Sequence, residues 1–149
     1  MSRLKPPQAS LLASADDVEA QFYEALAHAD LARLMAVWAD DEEIVCVHPG
    51  GARLVGPAAI RASFEAIFSH GGVSSTPEQI HRLQGLGAAV HHLVETVRGA
   101  RADAPPKAWV VATNVYINTA QGWRMVAHHA SPGEAQPPAP APERPSTLH

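Results

Sequence analysis

Three consecutive stretches decide the fold: KAWVVATNVYIN (107–118), TAQG (119–122) and WRMVAHHA (123–130). β-Branched and aromatic residues alternate with small or polar ones on both sides of a short break that ends in Gly122. That pattern predicts an antiparallel hairpin with Ala120 and Gln121 at its tip. In this register Asn118 faces Trp123, Tyr116 faces Met125, Asn114 faces Ala127 and Ala112 faces His129. Side chains alternate along a strand, so these eight residues share one face. The face mixes aromatic and polar groups with two alanines, which leaves room for a cavity. The opposite face collects Val111, Thr113, Val115, Ile117, Arg124, Val126 and His128. It is flat and largely β-branched, suited to contact with another surface.

Working outward, the period of two extends back through Glu78–Gln84 and Ala89–Arg98, with breaks at Gly85-Leu86-Gly87 and from Gly99 to Pro106. Before these strands the period is helical. Ser14-Ala15-Asp16-Asp17 has the form of a capping box with Asp in place of Glu. Val18, Phe22, Ala25, Leu26 and Ala29 then form an apolar stripe. Asp30 can cap a second stripe of Leu31, Leu34, Met35 and Trp38, and Asp40-Asp41-Glu42-Glu43 ends it as a solvated turn. Ile44–His48 reads as a short strand, Pro49-Gly50-Gly51 turns the chain, and Arg53–Val55 returns. Pro57 opens a third helix carrying Ile60, Phe64 and Ile67. Helices are expected near 15–29, 31–39 and 57–69. Helices first and strands later give an α+β order with an antiparallel meander.

The 149 residues suit one domain, with 46% hydrophobic and 17% charged residues. The expected limits are a loose segment over 1–13, a folded domain over 14–131 and a Pro-rich tail over 132–149. That tail holds six of the 13 prolines and little to bury. A run of about 18 or more apolar residues is absent, so no membrane span is expected. The first residues lack the apolar stretch of a secretory signal. The lone Cys46 excludes an internal disulfide and fits a reducing, cytoplasmic setting. A net charge of −4 argues against sequence-independent nucleic-acid binding.

Several side chains carry candidate chemistry. His48 can act as a general base, since histidine titrates near neutrality. Its alternative role is a strand-end ring bonded to the following turn. Glu95, if it faces the cavity, has its proton affinity raised by burial. Asn114 and His129 lie diagonally on the cavity face, with Tyr116 at its wall. Trp38, on the second helical stripe, is a core residue or, alternatively, a ligand platform. Neighbouring histidines (His91-His92, His128-His129) point to opposite faces, and no His-Glu-x-x-His or Cys pair occurs. No metal or cofactor is therefore assigned.

VCVHPGG (45–51), ATNVY (112–116) and GWRMVAHHAS (122–131) together resemble the SnoaL-like branch of the nuclear transport factor 2-like superfamily. The pattern Trp123, Val126, His129, Ser131 is also similar to the association domain of calcium/calmodulin-dependent kinase II. The resemblance implies a cone-shaped roll: three helices packed on a curved, mostly antiparallel sheet of five or six strands. It also implies an internal pocket and a homodimer through the outer sheet face. Isomerases of the superfamily place a carboxylate near the strand after the second helix. Here Ile44–His48 holds none, and His48 closes it. Two functional readings follow. One is a pocket for a small apolar or carbonyl-bearing ligand, with isomerase, cyclase or dehydratase chemistry by proton transfer through His48 or Glu95. The other is a non-catalytic association domain.

Overall fold

The computed structural model describes residues 12–98 and 106–133. Three helices precede most of the sheet: α1 (Ala15–His28), α2 (Leu31–Ala36) and α3 (Pro57–Phe68). The strands are β1 (Val45–Val47), β2 (Arg53–Val55), β3 (Ser75–Gln84), β4 (Ala88–Arg98), β5 (Pro106–Thr119) and β6 (Gly122–Pro132). They form one six-stranded curved sheet in the order β2-β1-β6-β5-β4-β3. All neighbours are antiparallel except β1 and β6, which run parallel. The α+β cone expected from the sequence is therefore the observed architecture. Loose ends expected within 1–11 and 134–149, and the loop at 99–105, lie outside the described residues.

Local chemistry accounts for the helix ends. Ser14 Oγ accepts from the Asp17 amide at 3.1 Å, and Asp17 Oδ2 accepts from the Ala13 amide at 3.1 Å. Ser14 is thus the N-cap, and Asp17 reaches one residue further back than in the expected capping box, to the amide before the cap. α1 ends with Ala29 in the left-handed region, and Asp30 Oδ1 caps α2 through the Arg33 amide at 3.1 Å. α2 stops at Ala36, shorter than expected, because the chain then runs beside β6. The Met125 amide donates to Val37 O, and the Ala39 amide donates to Met125 O. Leu12, assigned by the sequence to the loose N-terminal segment, is buried, and its carbonyl accepts from the Trp123 amide. Gly122 makes that approach possible: its φ is +102°, and a Cβ there would lie 2.9 Å from Leu12 O.

The hairpin tip is Ala120-Gln121 as expected, and Tyr116 opposes Met125. Beyond that the register shifts by one residue, because Val115 pairs with Ala127 and Val126 is left as a bulge. A bulge reverses the parity of everything after it. Asn114 therefore opposes His128 and not Ala127, and Thr113 rather than Ala112 opposes His129. His128 is buried on the inner face and His129 is exposed on the outer one. The expected faces of these two histidines are thus exchanged.

α1 packs across the inner face of the sheet, contacting β3, β5 and β6. Phe22 is the centre of this layer, fully buried and edge-on to both Tyr23 and Phe64. No helix of the described residues is long and apolar enough to cross a membrane. Replacing Phe22 by Ala should cost about 3–5 kcal/mol in a urea titration, through lost burial and a residual void. Leu86→Ala, at a side chain 99% exposed, should change stability by less than about 0.5 kcal/mol.

Candidate functional site

Between α1, α3 and the inner face of the sheet lies a cavity of about 320 Å³. Phe22 and Leu26 come from α1, Phe64 and Ile67 from α3, and Val97 and Val110 from the sheet. Four polar side chains interrupt this apolar wall: His48, Ser75, Glu95 and His128. Glu95 points inward because it pairs with Val110, in phase with Leu93, His91 and Ala89 along β4. The loop that hid this parity from the sequence meets β4 at a second irregularity, between Val97 and Arg98.

Glu95 belongs to a continuous hydrogen-bonded row. Tyr23 donates to Glu95 Oε2 at 2.7 Å, and Asn114 Nδ2 donates to the Tyr23 hydroxyl at 3.1 Å. The amide oxygen of Asn114 is then an acceptor, so His128 Nδ1, 2.6 Å away, carries the hydrogen. Burial first, and then the charges of His48 and His129, push His128 down from 6.5 to about 3. It is a neutral imidazole whose Nε2 lone pair lies 3.8 Å from Glu95 Oε2. Burial raises the Glu95 carboxyl above its ordinary value, against the opposing hydrogen bond from Tyr23. Burial likewise holds the Tyr23 proton well above the usual phenol range, so Tyr23 remains a donor. Ser75 Oγ is buried on the cavity wall without a hydrogen-bond partner.

His48 enters from the end of β1. Ser63 donates its own hydrogen to Ile60 O at 2.8 Å, so its oxygen accepts from His48 Nε2 at 3.0 Å. The ring is thus fixed by α3 and not by the following turn, with Nδ1 as its basic nitrogen. Burial lowers its proton affinity. Phe64 stands edge-on at 5.0 Å.

Of the residues singled out from the sequence, His48, Glu95 and Asn114 come together here, Asn114 behind the wall. The other three do not. His129 is turned outward by the Val126 bulge. Tyr116 faces inward but donates to Glu19 Oε1 at 3.2 Å, away from the cavity lining. Trp38 follows the end of α2, forms a bridge with Met125, and borders a separate cleft with Met35 and Arg61. Tyr23, Ser75 and His128 join the site without being marked by the sequence reading. The spacing of Glu19 and Tyr23, one helical turn apart beside the main stripe, is the signal that α1 is buried over more than one face.

The two titrating groups give stability opposite slopes with pH. For His128 the folded value is depressed, so its contribution is present above 6.5 and is lost as pH falls toward about 3. Glu95 is raised, so its contribution is full at low pH and is lost as pH rises through its folded value. Urea titrations should therefore show parent stability falling by up to about 1.4 kcal/mol per pH unit below pH 6.5 from His128 alone. His128→Gln should flatten that limb. Glu95→Gln should gain on the parent as pH rises.

The architecture and site can now be set against known proteins. The SnoaL-like domain family matches residues 16–134. No curated protein matches the sequence. A crystal structure from Thiobacillus denitrificans, provisionally named a calcium/calmodulin-dependent protein kinase type II association domain, is 33% identical. It superposes with a TM-score of 0.76 over 83% of this chain and 98% of that one. A Streptomyces avermitilis protein, provisionally named a dehydratase of the NTF2-like family, is 28% identical, with a TM-score of 0.69 over 79% and 92% of the two chains. A Nostoc punctiforme protein with a cystatin-like fold, 16% identical, covers 84% of this chain and 97% of that one at a TM-score of 0.69, and shares the fold alone. With the family matched over most of its length and the cone fold in place, this chain belongs to the SnoaL-like family of the NTF2-like superfamily.

Proposed function

We propose that the cavity binds a small, largely apolar molecule bearing a carbonyl, and that Glu95 moves a proton on it. The observation that carries this reading is a buried carboxyl at the wall of an apolar cavity, held by Tyr23 and faced by a neutral imidazole. A carboxyl whose proton affinity burial raises is suited to take and return a proton. The base removes hydrogen from the carbon beside the carbonyl, and the electron pair moves onto the carbonyl oxygen. The same carboxyl returns the proton at a second carbon in an isomerisation, at the new alkoxide once the carbanion has closed a ring on a second carbonyl in a cyclisation, or at the departing hydroxyl, released as water, in a dehydration, so no co-reactant is consumed. Ser75 Oγ supplies a spare donor for the oxygen that becomes negative. His48, neutral and fixed by Ser63, is the second basic group on the wall. A cytoplasmic setting fits the buried, free thiol of Cys46.

A panel of cyclic ketones in deuterated water tests this directly. The parent should exchange the hydrogens beside the carbonyl of any ketone it binds, followed by NMR. Glu95→Gln should lose about 10²–10⁴-fold in exchange rate while still binding, as for removal of a general base. Exchange unaffected by Glu95→Gln would remove Glu95 from the chemistry. Failure of the parent to bind or exchange any member would count against the ligand reading.

The association reading keeps a specific support of its own. The outer face carries Val90, Val94, Val111, Val115 and Ile117 in adjacent strands, with Val111 exposed, and the helices lie on the other side. We propose a homodimer through this face, in keeping with the name of the Thiobacillus relative. An apolar patch of several hundred Å² is rarely left open to water. Light scattering should give twice the chain mass at micromolar concentration, and Val111→Lys should shift it toward the monomer. A monomeric parent overturns the assembly without touching the pocket.

A further inference from the structure

One turn before Tyr23, α1 brings Asp16 and Glu19 to a second polar cluster, with His91 of β4 and Tyr116 of β5. Glu19 is buried; its Oε1 accepts from Tyr116 and lies 3.0 Å from His91 Nδ1. A carboxylate only accepts, so His91 Nδ1 carries the hydrogen, which leaves Nε2 as the ring atom able to bind a further group. That Nε2 is fully buried and has no hydrogen-bond partner. It faces Asp16 Oδ1 at 3.9 Å. A buried ring nitrogen and a carboxylate oxygen thus face one another without a hydrogen bond. A proton on Nε2 would not join them, since 3.9 Å is beyond hydrogen-bond reach. One ligand atom from each of Asp16, Glu19 and His91 lies within 4.8 Å of the others.

We propose that His91 Nε2 and the Asp16 carboxylate bind a divalent transition-metal ion, with Glu19 behind the ring as its orienting carboxylate. An imidazole with a carboxylate suits Zn²⁺ or Co²⁺ better than Mg²⁺ or Ca²⁺. A carboxylate accepting from the second ring nitrogen is the usual support of a metal-bound histidine. Bonds of about 2.0–2.1 Å in tetrahedral geometry need the two donors roughly 3.4 Å apart. Asp16, 60% exposed, can close that gap by rotating, and its exposure supplies the entry path. Arg82 Nε lies 2.9 Å from Asp16 Oδ1 and opposes the ion. Two carboxylates still outweigh one guanidinium. The sequence assigns no metal because His91 and His92 diverge on their strand. The additional ligand comes from the helix, which strand alternation does not report.

Zn²⁺ titration of the chelator-treated full chain by calorimetry, with Co²⁺ absorbance in parallel, tests the proposal. One ion per chain should bind. Asp16→Asn, at an exposed side chain, should weaken it by about tenfold or more, and Glu19→Gln by about 10–100-fold. Arg82→Ala should tighten it, by removing the opposing charge. His92→Ala, on the outer face, should leave it unchanged. Circular dichroism checks that each variant is folded, and Asp16→Asn and Arg82→Ala decide the matter should Glu19→Gln misfold. No binding tighter than millimolar overturns the site. So does binding that survives Asp16→Asn, or that disappears with His92→Ala, which would move the ion to surface histidines.

Discussion

The bulge at Val126 in β6 sets what the inner face can do. Every side chain of β6 after it changes sides, and β1 pairs with that same stretch: Cys46 sits beside His128 and Val47 beside His129. Without the bulge, Ala127 would meet Asn114, and His129 would turn inward one position further along. With it, His128 is delivered to Asn114 at 2.6 Å, and Asn114 in turn holds Tyr23. The bulge also lies where β6 changes neighbours. Met125, before it, pairs with the segment after α2, while Ala127, after it, pairs with β1. The same irregularity that re-aims the histidine therefore accommodates two successive partners on one strand edge, a setting in which bulges recur.

Much of the architecture is legible in the residues, because it depends on periodicity and end signals. The N-cap at Ser14, Pro57 at the start of α3 and the Ala120-Gln121 tip are local features, and local features read well. The site depends on parity across long distances, where one residue inverts the answer. Nothing in Met125-Val126-Ala127 marks a bulge, since Val and Ala fit a regular strand. The parity of Glu95 is likewise separated from β5 by a loop and a register shift at Val97. A second helix running to 39 would carry Trp38 over the cavity as its roof. α2 ends at Ala36, and the indole is carried past the roof to a different cleft.

Burying a carboxyl is costly unless the surroundings restore its hydrogen bonds. The inner face does so twice, with the roles of helix and sheet exchanged. At one position the helix supplies the phenol, Tyr23, and the sheet the carboxyl, Glu95. One turn away the helix supplies the carboxyl, Glu19, and the sheet the phenol, Tyr116. Each pair has an imidazole beside it, His128 for Glu95 and His91 for Glu19. The match is geometric: residues four apart on a helix and residues of like parity on neighbouring strands repeat at compatible spacings.

The two sets differ in how their hydrogens are spent, and that difference separates their chemistry. Glu19 Oε1 is engaged by both a phenol and a ring nitrogen, so it is used in orienting them, and the atom left without a hydrogen bond is His91 Nε2. Glu95 receives one donor, from Tyr23, while His128 spends its hydrogen on Asn114 and turns only a lone pair toward the carboxyl. The second set therefore lacks a donor, and burial raises the carboxyl's own affinity for a proton. A carboxyl short of one donor, beside an apolar cavity and a neutral imidazole, is the arrangement in which a proton has reason to come and go. The pairing that stabilises the first carboxylate as a fixed anchor is thus withheld from the second, and the cavity opens at the second.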